Sequence, residues 1–138
     1  MVMYTMKQVC EKTGMTYEGL KFYCNQGLVP RVERDDHNHR VFDEAMVHWI
    51  DNLNCLKKCN LTLAEMKQYM AWCIEGKPSI PERKAFLAIK RQELVQKKQE
   101  LEASIAYIDK KEVFYNDVLD GAIPYHSLLI KDDDEPSE

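Results

Sequence analysis

Ile80, Leu87, Leu94, Leu101, Ile108 and Tyr115 recur every seven residues, and neither Pro nor Gly interrupts the chain between Pro81 and Gly121. A strict seven-residue period marks the seam of a helix that winds about another helix. Ser79 and Glu82 open the segment, and Pro81 falls in its first turn, where a missing N–H is tolerated. A helix from 80 to 118 is roughly 58 Å long at about 1.5 Å per residue. A head of the size left over cannot cover that length, so a partner helix is expected. The second row of the seam is poor: Lys84, Arg91, Lys98 and Glu112 occupy it, and only Ile105 is apolar. The period leaves open how many helices meet and in which direction they run. The competing arrangement is a lone amphipathic helix folded back on its own head.

Upstream, short helices are punctuated by caps. Thr5 and Gln8 have capping-box spacing, and Met6, Val9 and Cys10 follow at helical spacing. Gly14 supplies a turn, and Thr16 caps a second helix through Leu20 and Tyr23. Gly19 lies inside that helix, and Gly27 and Pro30 end it. A helix, a turn and a second helix are the parts of a major-groove reader. Residues 31 to 42 read as a hairpin wing that carries Arg31, Arg34 and Arg40. Asp43 caps a third helix whose apolar face is Met46, Trp49, Ile50, Leu53 and Leu56. Asn60 ends it. Thr62 and Glu65 form a second capping box ahead of Leu63, Met66, Tyr69 and Met70, and Gly76 and Pro78 close that fourth helix. The short turn between the third and fourth helices predicts a hairpin packed on the head.

The strings YTMKQVCEKTGMTYEGLKFYCNQGLVP, HRVFDEAMVHWI and LKKCNLTLAEMKQYM resemble the MerR family of bacterial transcription regulators over roughly residues 4 to 75. Three departures stand out. Lys21, Phe22, Tyr23 and Cys24 stand where the family usually has Arg-Tyr-Tyr followed by an acid. Asn38, His39 and Arg40 replace Gly-Tyr-Arg in the wing. Asn60 replaces a Gly, a mild change because Asn tolerates the left-handed conformation that ends helices.

The resemblance implies a mainly α protein. Residues 1–75 form a winged helix-turn-helix head with a helical hairpin, and 79–118 a long antiparallel coiled-coil dimerisation helix. Residues 119–138 make a C-terminal segment and acidic tail. It also implies a homodimer on double-stranded promoter DNA, which it distorts for RNA polymerase. Thr16, Tyr17, Lys21 and Tyr23 of the second helix, with Arg31, Arg34, His39 and Arg40 of the wing, are the candidate DNA contacts. The plain alternatives are that Tyr23 is core and Tyr17 merely surface.

The net charge of −4 is unusual for a DNA binder. Residues 1–60 hold eight basic and eight acidic side chains, and residues 61–130 hold ten of each. The tail 131–138, with one Lys and five acids, therefore supplies the whole excess. Only a local basic patch can serve DNA, and Glu33, Asp35 and Asp36 sit inside the wing itself. No apolar run approaches a membrane span and no signal peptide precedes Tyr4, so a cytoplasmic protein is expected. Its five cysteines are then expected to be reduced. The apolar segment after Gly121 suits docking, and Asp132 to Glu135 a solvated end.

Asn54-Cys55-Leu56-Lys57-Lys58 resembles the branch of the family that senses aldehydes or other electrophiles through one cysteine at this place. Lys57 and Lys58 favour the reactive thiolate, whereas the nearby helix C-terminus disfavours it. The other reading of Cys55 is a small buried hydrophobe. Metal sensing is an alternative on Cys55, Cys59, Cys24, His37 and His39, but no Cys follows Cys73 and only His126 lies beyond the long helix. No cofactor is expected, and no spacing suggests a catalytic triad or a phosphate loop. A helical module that dimerises and binds another protein is the alternative from a different class.

Overall fold

The computed structural model describes residues 2–131. The acidic stretch from Asp132 to Glu135 therefore lies outside the described residues. The order is β1 (Tyr4–Thr5), α1 (Met6–Thr13), α2 (Tyr17–Asn25), β2 (Glu33–Arg34), β3 (Arg40–Phe42), α3 (Glu44–Lys58), α4 (Leu63–Glu75), a 3-10 turn (Lys77–Ser79) and α5 (Ile80–Leu119). Two compact units result, Met1–Gln92 and Glu93–Glu138, so the first unit runs on into the start of α5.

Side chains fix each helix start. Thr5 and Gln8 exchange capping-box bonds at α1, and Thr62 and Glu65 do the same at α4. Thr16 caps α2 by accepting from Gly19 N–H at 3.0 Å, and Asp43 caps α3 by accepting from Met46 N–H at 2.8 Å. Removing one such cap typically destabilises a helix by about 1 kcal/mol.

The ends of α2, α3 and α5 share one device. At α2, Leu28 N–H reaches Tyr23 O and Gly27 N–H reaches Cys24 O. At α3, Leu61 and Asn60 bond to Leu56 and Lys57, and at α5 Ala122 and Gly121 bond to Asp117 and Val118. These paired bonds require a left-handed residue just past the helix. Gly27 and Gly121 adopt it freely at φ 77° and 79°, and Asn60 does so at 70°.

The sheet is three-stranded, with β3 between β1 and β2 and antiparallel to both. The β2–β3 hairpin is the expected wing. The strand β1, which pairs Tyr4 with Phe42 and Thr5 with Val41, is an addition. Two residues carry too little local signal to announce a strand; only the approach of β3 creates it.

Val9, Leu20, Leu28, Phe42, Ile50 and Leu53 are fully buried at the centre of the first unit. Burying each side chain of this size contributes roughly 1.5–3 kcal/mol. Polar bonds align the helices around that core: Trp49 Nε1 donates to Leu28 O at 2.8 Å, and Asn54 Nδ2 to Thr13 O at 3.1 Å.

The start of α5 is joined to α4. Ser79 does not turn forward to open the long helix; its hydroxyl sits against the carbonyl oxygens of Trp72 and Gly76, at the end of α4. Arg83 donates to Gly76 O at 2.8 Å and to Ser79 Oγ at 3.0 Å. Trp72 and Phe86 meet edge to face at 5.8 Å. Lys90 is nearly buried and reaches Glu65 Oε2 at 2.8 Å. Burying a charged Lys is tolerable only with such a partner. In the second unit, Leu101, Ile105, Ile108 and Tyr115 of α5 are exposed, as are Ile123, Tyr125, Leu128, Leu129 and Ile130 beyond it.

Candidate nucleic-acid interface

Two neighbouring features build one concave face. The N-terminal turns of α1 and α2 bring Thr5, Met6, Lys7 and Tyr17; the wing brings Arg34, Asp35, Asn38, His39 and Arg40. They surround an open cavity of about 310 Å³. Arg34 and Arg40 are paired across β2 and β3, so their side chains leave the sheet on one face. Arg40 Nη2 donates to Asn25 Oδ1 at 2.7 Å, which ties the wing to the end of α2. Arg34 Nη1 donates to Asn38 O at 2.9 Å, inside the wing turn. Burial pushes the Cys24 thiol up, while Arg40 and Arg34 beside it pull it down. A neutral thiol thus stands close to both guanidinium groups.

The candidate contacts separate accordingly. Tyr17, Arg34, His39 and Arg40 gather around the cavity, and Tyr17 is exposed. Lys21 is exposed on α2 but does not line the cavity. The Thr16 hydroxyl is engaged as the α2 cap. Arg31 lies 3.5 Å from Asp43 and borders a different hollow with Val2, Tyr4 and Glu44.

Tyr23 requires a correction as a DNA contact. It is 4% exposed and belongs to the core cluster with Leu20 and Leu28, so little of its side chain is left for a DNA surface to touch. Burial raises its phenol above the usual range.

Lys7 joins the face without having been singled out from the sequence. The signal was present: with Met6, Val9 and Thr13 buried, Lys7 must fall on the exposed flank of α1. What the sequence did not show is that this flank borders the wing.

Cys55 is exposed on α3, and Lys57 and Lys58 follow in the last turn. Cys59 is half-buried one turn on. Among the described residues, no three His, Cys, Asp or Glu side chains are grouped so as to hold a metal ion. No described helix is long and apolar enough to cross a membrane.

The family described as MerR HTH family regulatory protein matches residues 4–72. An uncharacterized HTH-type transcriptional regulator of Haemophilus influenzae is 30% identical over 112 residues, which cover 81% of this chain and 83% of that protein. The HTH-type transcriptional regulator AdhR of Bacillus subtilis is 33% identical over 89 residues, 64% of either chain. The crystal structure of HiNmlR, a MerR family regulator lacking the sensor domain and bound to promoter DNA, matches with a TM-score of 0.78 at 27% identity. That match covers 88% of this chain and 92% of the other. These relatives are transcription regulators, not enzymes.

Proposed function

The chain belongs to the MerR family of helix-turn-helix regulatory proteins, and from that premise we propose how this DNA-binding transcription regulator acts. Two copies pair through the seven-residue seam of α5. Each copy lays α2 in a major groove and its wing on the adjacent backbone. The dimer then distorts promoter DNA so that RNA polymerase can use it, which is work on DNA shape more than on base contacts. An aldehyde or another small electrophile modifies Cys55 and sets the output.

One observation carries the DNA-facing part of this reading. Lys7 and Tyr17 from two helices and Arg34, His39 and Arg40 from the wing line one hollow, although the chain as a whole is acidic. Cations suit phosphates, and a phenol at the start of α2 suits phosphates or base edges. The exposed row of Leu101, Ile108 and Tyr115 supports pairing, since a single chain leaves it in water. Exposure of Cys55 beside two lysines supports the sensing step.

Fluorescence anisotropy with the protein's own promoter tests the reading. The logarithm of affinity is expected to fall linearly with that of salt, by about 0.9 per phosphate neutralised. Absent or salt-independent binding counts against it. Sedimentation at the same concentrations is expected to show a dimer, and a monomer refutes the pairing. Transcription with and without a small aldehyde is expected to differ in wild type and not in Cys55→Ser. Equal responses remove Cys55 from the mechanism and leave DNA binding standing.

A further inference from the structure

Asp35 is an anion on a face that meets phosphates, where charge alone makes it a liability. It lines the same hollow as Arg34, His39 and Arg40. Yet the wing turn is built around it. Its Oδ1 accepts from the backbone N–H groups of His37 and His39, each at 2.9 Å. Its own N–H donates to His39 O, and its carbonyl accepts from Asn38 N–H, again at 2.9 Å. The turn holds Asn38 at φ 62°, a left-handed conformation that Asn tolerates better than most side chains. Asn38 O in turn receives Arg34 Nη1. The chain of bonds therefore runs from the Asp35 carboxylate through the turn backbone to the Arg34 guanidinium. His39 N–H, the largest influence, holds the Asp35 carboxyl below the usual carboxylate range.

We propose that Asp35 is a positioning residue for DNA binding, and that shaping the turn which presents Arg34, His39 and Arg40 outweighs its repulsion of phosphates. The proposal rests on the reading of this face as the DNA interface. It deepens that reading by assigning a favourable role to an acid within the interface. Asp36 is the natural comparison: it is exposed in the same turn, carries the same charge and makes no such bonds among the described residues.

The test compares four variants with wild type on the same promoter duplex, by anisotropy across a salt series. Asp35→Asn keeps an oxygen acceptor and loses the charge. Asp35→Ala loses both, and Asp36→Ala loses charge alone. Asp35→Asn and Asp36→Ala are expected to bind as tightly as wild type or up to about threefold more tightly, the scale of one exposed like charge removed. Asp35→Ala is expected to bind about tenfold more weakly, the scale of losing the hydrogen bonds that order a contact. Its salt slope is also expected to be shallower by about 1, because a wing cation leaves its phosphate.

If Asp35→Ala binds as tightly as Asp35→Asn, Asp35 is only a charge and the proposal fails. Should Asp35→Asn also weaken tenfold, the acceptor geometry is not what matters, and the proposal fails again. Arg40→Ala separates the two levels. If it leaves affinity unchanged, the interface reading falls and takes the proposal with it. Weakening by Arg40→Ala, together with an unaffected Asp35→Ala, sinks the Asp35 role alone.

Discussion

Replacing Tyr23 with Phe is expected to stabilise the protein. Tyr23 is 4% exposed, and its hydroxyl is a buried polar atom with no hydrogen-bond partner among the described residues. A buried hydroxyl left unsatisfied costs about 1–3 kcal/mol, because it has given up water and received nothing in return. Phe keeps the ring, and with it the contacts in the cluster of Leu20, Leu28 and Val29. Small relaxation around the hydroxyl takes back part of the gain, so the expected increase is about 1 kcal/mol. For a chain of this length that raises Tm by about 3 °C. The assay is thermal and urea unfolding followed by circular dichroism at one fixed protein concentration, since pairing makes Tm depend on concentration. Promoter affinity, measured alongside, is expected to be unchanged. A loss of stability above about 0.5 kcal/mol means that the hydroxyl has a partner and the reasoning is wrong. A loss of affinity without a loss of stability returns Tyr23 to the DNA contacts.

Asn60→Gly is expected to add about 0.5 kcal/mol in urea unfolding, because the position sits at φ 70° and Gly adopts it without strain. Asn25→Ala removes the 2.7 Å bond that fixes Arg40. Anisotropy is expected to show roughly fivefold weaker promoter binding, the scale of one net hydrogen bond, with an unchanged melting curve. The Glu65 carboxyl lies below its usual 4.5, first through its bond to Lys90 and then through Thr62 N–H. A lowered carboxyl contributes stability that is present above the unfolded pKa and lost as pH falls through the folded one. Urea unfolding of wild type and Glu65→Gln is therefore expected to show a gap that is full above pH 4.5 and closes below it. A gap that persists at low pH contradicts the assignment.

The local grammar of the fold was legible in the residues. Thr5, Thr16, Asp43 and Thr62 mark helix starts, and Gly14, Gly27, Asn60 and Gly121 mark their ends, because caps and left-handed turns depend on neighbours a few residues away. The seven-residue row on α5 was legible for the same reason. Ser79 shows where such reading stops. Its spacing to Glu82 suits a cap, yet its hydroxyl turns to the carbonyl oxygens of Trp72 and Gly76 at the end of α4, partners that only the fold brings within reach.

The candidate interface divides along the same line. Tyr17, Arg34, His39 and Arg40 could be named from the chain, since a helix start and a basic hairpin are local patterns. Only the tertiary structure could remove Tyr23 to the core, set Arg31 against Asp43, bring Lys7 beside the wing and give Asp35 a turn to hold. Spacing along the chain says which residues share a face of one element. Which faces meet is settled by β1 joining β3 and by α1 packing on α3, contacts between residues some forty positions apart.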